Sequence, residues 1–105
     1  MKIESIQINP ISADVENDRA SVKKLPTQIE IQNWIVNYVA EILEVKPNII
    51  DVTMPFDRYG IDSAEAIGLM AELNDWLAIE LEPTLVYDYP YIEALARRLS
   101  KILRL

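Results

Sequence analysis

Three stretches of this chain repeat apolar residues at spacings of three and four, and no stretch sustains the alternation of a strand. Ile31, Trp34, Ile35, Tyr38 and Ile42 mark one face of a helix over residues 27–44. Ile67, Met70, Leu73 and Leu77 mark a second face beginning at Ser63, and Ile92, Leu95, Ala96, Leu99, Ile102 and Leu103 a third over residues 91–103. An amphipathic helix this short cannot bury its own stripe, so the three must cover one another. The expected fold class is all-α: a four-helix bundle of three longer helices and one short one. The short helix is a single turn between Pro83 and Pro90 that carries Leu85, Val86 and Tyr87 inward.

Local signals place the ends of these helices. Thr27 and Glu30 have capping-box spacing, and Pro47 enforces a stop. Asp62 and Ser63 are both good N-caps, with Glu65 three residues after Asp62. The intervening loop over residues 45–62 is held down by Ile49, Ile50, Val52, Met54, Phe56 and Ile61, which fixes the Asp62-Ser63 corner against the first helix. Gly68 costs the second helix about 1 kcal/mol relative to alanine and marks either a close approach of another backbone or a tolerated loss. Trp34 and Tyr38 are read as packing residues, since aromatic stripes at helical spacing belong to cores. Residues 1–26, punctuated by Pro10 and Pro26, read as a flexible N-terminal tail. Within it, Ile3, Ile6, Ile8 and Ile11 could form a strand fragment or a short docking segment, and residues 27–105 form the domain.

Composition removes most chemistry. There is no histidine and no cysteine, which excludes a Ser-His-Asp triad, a cysteine nucleophile and an ordinary zinc site. Residues 57–62 lack the oxygen-donor pattern of a calcium loop, so no metal and no catalytic residue is expected. Seventeen acidic residues face ten basic ones, a formal charge of −7 that argues against nucleic acid and anionic membranes and for basic protein partners. No leader and no long apolar window are present, so a cytoplasmic monomer without membrane insertion is expected. Between Tyr59 and Ala96 there are eight carboxylates and no lysine or arginine. Glu65, Glu72 and Asp75 put part of that charge on the second helix, as a solvated face or as a docking surface. By itself Ser63 is only a cap whose hydroxyl points to solvent at the first turn.

The order of motifs says more. Phe56-Asp57-Arg58-Tyr59-Gly60-Ile61 leads into Asp62-Ser63, and Glu82-Pro83-Thr84-Leu85-Val86-Tyr87-Asp88-Tyr89-Pro90 leads into a last amphipathic helix. Over residues 27–103 this resembles an acyl carrier protein. The resemblance implies that a phosphopantetheinyl transferase attaches 4′-phosphopantetheine from coenzyme A to Ser63 beside Asp62. An acyl group would then ride on the imported thiol as a thioester. It further implies partner docking through Ala64, Glu65, Ile67, Gly68, Glu72 and Asp75, with an acyl-loading enzyme and a ketosynthase or other acyl-processing enzymes as partners.

Asp88-Tyr89-Pro90 and the two tryptophans resemble carriers of polyketide synthases, which points to polyketide or specialised fatty-acid and lipid biosynthesis and not to catalysis by the chain itself. Two positions depart from the family. Ala64 stands where leucine or methionine is usual, and Tyr91 stands where a capping serine or threonine is usual, so the last helix is expected to start loosely. The alternatives are a peptidyl carrier, or a helical interaction module that is never modified and works through its acidic face.

Overall fold

A computed structural model of the protein describes residues 25–105; the expected tail lies outside them except for its last two residues. Four helices form, as the periodicity requires: α1 (Gln28–Leu43), α2 (Ser63–Leu77), the single-turn α3 (Leu85–Asp88) and α4 (Ile92–Leu103). Short 3-10 turns at Pro47–Ile49 and Phe56–Tyr59 break up the long connection between α1 and α2. Among the described residues there is no strand, only an isolated bridge between Pro55 and Tyr91.

Each long helix begins where its cap dictates. Thr27 Oγ1 accepts the Glu30 N–H at 3.2 Å, and the Thr27 N–H donates to Glu30 Oε1 at 2.8 Å. α1 ends at Leu43, before Pro47 is reached, because Glu44 turns left-handed at φ 58° and donates its N–H back to Ala40 and Glu41. α4 has no side-chain cap at Tyr91, yet it does not start loosely. The Glu93 N–H donates to the Val52 carbonyl at 2.9 Å, and the Phe56 N–H donates to the Pro90 carbonyl at 2.9 Å, so the α1–α2 connection supplies what the missing hydroxyl would.

The core joins Ile31, Ile35 and Val39 of α1, Leu69, Met70 and Leu73 of α2, Val86 of α3 and Ile92, Leu95 and Leu99 of α4, with Phe56 and Ile61 from the connection. Burying a side chain of this size contributes about 1.5–3 kcal/mol, so the core and not helix propensity holds the bundle together. Three expectations about facing need correction. Ile67 is 42% exposed, because the buried line of α2 runs through Ala66, Leu69, Met70 and Leu73, and at about 100° per residue Ile67 stands off it. Tyr87 is exposed while Val86 alone of its turn is buried. Ile49 lies on the surface, leaving Phe56 and Ile61 as the buried anchors, with Ile50, Val52 and Met54 half-buried.

Trp34 and Tyr38 do pack, but at the rim of the core. The Trp34 ring stacks on Tyr38 with centroids 5.5 Å apart and on Trp76 of α2 at 5.2 Å, the latter pair nearly parallel at 6°. Gly68 accordingly meets no backbone; the nearest atom to a carbon placed on it is the Tyr38 hydroxyl at 3.7 Å. At the far end of the bundle the Arg104 guanidinium donates to the carbonyls of Pro26 at 2.9 Å and Leu25 at 3.4 Å, tying the end of α4 to the start of α1.

Candidate functional site

Ser63 is exposed and is the first residue of α2. Its position follows from a chain of local constraints. Gly60 ends the Phe56–Tyr59 turn at φ 79°, a left-handed conformation that a Cβ would strain. The reversal drops Ile61 into the core and lifts Asp62 to the helix start. Asp62 Oδ1 accepts the Glu65 N–H at 2.9 Å, and the Asp62 N–H donates to Glu65 Oε1 at 3.1 Å. Both carboxylates of this capping box are thus engaged, and Ser63 is left to face solvent beside them.

The approach to this corner is braced further back. The Tyr59 hydroxyl donates to the Asp51 carbonyl at 2.8 Å and accepts the Asp51 N–H at 2.6 Å. Asp51 Oδ1 in turn accepts the Thr53 hydroxyl at 2.7 Å and the Thr53 N–H at 2.9 Å, and these bonds hold its carboxyl below the usual carboxylate range.

Beside Ser63 runs a groove of about 680 Å³ between the Phe56–Tyr59 turn, the start of α2 and α3. Its floor is largely apolar, from Phe56, Ile61, Ala66 and Val86, and Asp57, Arg58 and Tyr87 also line it. Arg58 and Tyr87 are site neighbours that the sequence did not single out. They sit 5 residues before and 24 after Ser63, and no periodicity links them.

The six residues expected to dock partners divide. Ala64, Ile67, Glu72 and Asp75 are exposed. Glu65 is half-buried and spent on the cap, and Gly68 is half-buried beneath Tyr38. Glu65 and Glu72 lie on the α1 side of α2, where burial first, and then Glu72, Glu41 and Glu65, push the Tyr38 phenol above its ordinary pKa.

Chemically, the corner offers an exposed hydroxyl at a helix N-terminus with no base to activate it. The chain has no histidine or cysteine, and among the described residues no cluster of His, Cys, Asp or Glu could hold a metal. Such a site suits a covalently attached anion: the N–H groups of the first turn and the helix dipole favour negative charge there. No helix among the described residues is long and apolar enough to cross a membrane.

Residues 33–99 match the family model described as a phosphopantetheine attachment site. The chain is 34% identical over 55 residues to the acyl carrier protein TtuC of Teredinibacter turnerae, covering 52% of this chain and 63% of that one. It is 26% identical over 92 residues to the polyketide synthase PksL of Bacillus subtilis, covering 88% of this chain but 2% of the synthase. Among solved structures, a free-standing peptidyl carrier protein from an uncharacterized secondary metabolic pathway of Acinetobacter baumannii superposes with a TM-score of 0.69 at 39% identity. That match covers 73% of this chain and 96% of the other. The chain thus spans less than two thirds of TtuC and a small segment of PksL. Because that family model spans residues 33–99, more than half of the chain, the chain belongs to the phosphopantetheine attachment-site family, the non-catalytic carrier proteins that bear 4′-phosphopantetheine.

Proposed function

We propose that Ser63 is the attachment residue and that the protein tethers acyl intermediates for a polyketide or specialised lipid pathway. The observation that carries the reading is the exposed Ser63 at the first position of α2, reached through the left-handed turn at Gly60 and the Asp62–Glu65 capping box. The open N–H groups of the first turn, with the Arg58 guanidinium on the wall of the adjoining groove, suit a phosphodiester on Ser63 Oγ. The group, when bound, supplies a terminal thiol that carries the acyl cargo as a thioester, which the chain cannot supply itself.

Ala64, Ile67, Glu72 and Asp75 form the exposed side of the same helix and offer docking positions for a transferase, a loading enzyme and a ketosynthase. The matches to TtuC and to a segment of PksL support an acyl and polyketide setting, and the cytoplasm is the compartment in which coenzyme A would meet such a chain. A peptidyl cargo is the second reading, favoured by the 39% identity to the Acinetobacter carrier.

Incubation with coenzyme A and a broad-specificity phosphopantetheinyl transferase tests the attachment. Intact mass should rise by one phosphopantetheinyl group, and Ser63→Ala should abolish the gain while leaving the melting curve unchanged. No gain with several transferases would replace this reading with that of an unmodified interaction module. Loading by acyl donors rather than aminoacyl donors separates the two cargoes.

A further inference from the structure

The pole of the bundle opposite Ser63 carries a feature that the carrier role does not use. Trp76 lies 13 residues along α2 from Ser63, about 20 Å at helical rise. There a groove of about 480 Å³ is lined by Leu25, Pro26, Trp76, Leu77 and Leu103, with Glu30 at its edge. Its surroundings are more apolar than a solvated surface needs: Leu25 is 49% exposed, Ile29 59% and Trp76 39%, although Trp76 is stacked on Trp34 beneath it.

We infer that this groove is the docking site of the chain's own N-terminal segment, residues 3–11. The path of the chain carries the argument. Twenty-four residues precede Leu25, and Leu25 itself lines the groove. Arg104 grips the Leu25 and Pro26 carbonyls, so the point from which the segment departs is fixed at the groove's edge. The 13 residues between Ile11 and Leu25 have a typical span of about 20 Å, enough to return Ile3, Ile6, Ile8 and Ile11 to a site only a few residues wide. A tether that short raises the local concentration to the order of millimolar, so weak apolar contacts suffice.

Charge selects the same occupant. Residues 25–105 carry thirteen acidic side chains against six basic ones, so a second copy would bring like-charged surfaces together. Residues 3–11 hold four isoleucines and one charge, Glu4, and can enter an apolar groove without that repulsion. Docking would cover the exposed tryptophan while leaving the Ser63 end of the bundle clear. This inference does not depend on Ser63 being modified.

The absence of cysteine makes the test direct. A nitroxide is attached to the full chain at Gln7→Cys, and the nuclear magnetic resonance signals of the oxidised and reduced label are compared. The Trp76 indole and the Ala78 and Leu103 amides should lose at least half their intensity in the oxidised state, and the Ser63 amide should keep its own. The Asn9→Cys label should give the same pattern, and combining either label with Ile6→Ser and Ile8→Ser should restore the lost intensity. Uniform intensities at both label sites, or losses centred on another surface, would overturn the inference. So would equal losses in a mixture of spin-labelled chain with isotope-labelled, nitroxide-free chain, which would assign the groove to a second copy.

Discussion

The Tyr38 hydroxyl stands 3.7 Å from the point where a Cβ on Gly68 would sit, which is ordinary van der Waals contact. Gly68 is therefore not required by the α1–α2 packing, and it has the normal right-handed helical backbone of an α2 interior position. Gly68→Ala should stabilise the domain by about 1 kcal/mol through helix propensity and reduced freedom of the unfolded chain. A rise in melting temperature of roughly 4–8 °C is the expected reading for a domain of this size, and a fall would show that Tyr38 cannot accommodate the methyl group.

Ala78 calls for the opposite exchange. It ends α2 at φ 57°, left-handed, with its N–H donated to the Asn74 carbonyl, and it is exposed. Glycine adopts that conformation without the cost of roughly 1 kcal/mol that a Cβ imposes. Ala78→Gly should raise the midpoint of urea unfolding even though the same exchange inside the helix would lower it. Gly68→Ala and Ala78→Gly lie 10 residues apart with no shared contact, so their effects should add within about 0.5 kcal/mol.

Asp62 has a structural duty that can be separated from its charge. Its side chain caps the Glu65 N–H, so Asp62→Ala should cost about 1 kcal/mol of stability, whereas Asp62→Asn, an equally good cap, should cost a few tenths. Denaturant titration of the two variants measures the difference. If transferase activity on Asp62→Asn falls while stability holds, the carboxylate is being read by the partner and not merely by the helix.

Asp51 tests the bracing of the connection. Thr53 donates to it twice and keeps its carboxyl below the ordinary aspartate value of 3.8. A depressed folded pKa contributes stability that is present above the unfolded value and lost as pH falls through the folded one. Thr53→Val removes the hydroxyl donor, the larger of the two causes, and keeps the backbone N–H. The Asp51 titration followed by nuclear magnetic resonance should move up towards 3.8, and the acid limb of the stability profile should flatten.

The ends of α1 and α2, both capping boxes, the short α3 and the stripe of α4 were legible in the sequence, because caps and periodicity act within a few residues along the chain. The same locality made the exposed start of α2 readable from Asp62, Ser63 and Glu65 alone. What a helix turns towards was less readable. Apolar spacing admits more than one face, and it was the closing of the bundle that buried Ala66 and Leu69 and left Ile67 outside.

Tertiary structure also decided everything that joins distant residues. It fixed Trp34 between Tyr38 and Trp76, the Val52 carbonyl that stands in for a cap on α4, and the groove that brings Arg58, Ser63 and Tyr87 together. The division has one physical cause. A helix start depends on hydrogen bonds between near neighbours, which the order of residues specifies directly. Facing and grooves depend on which surfaces gain most by leaving water together, and that choice is made only when the whole bundle closes.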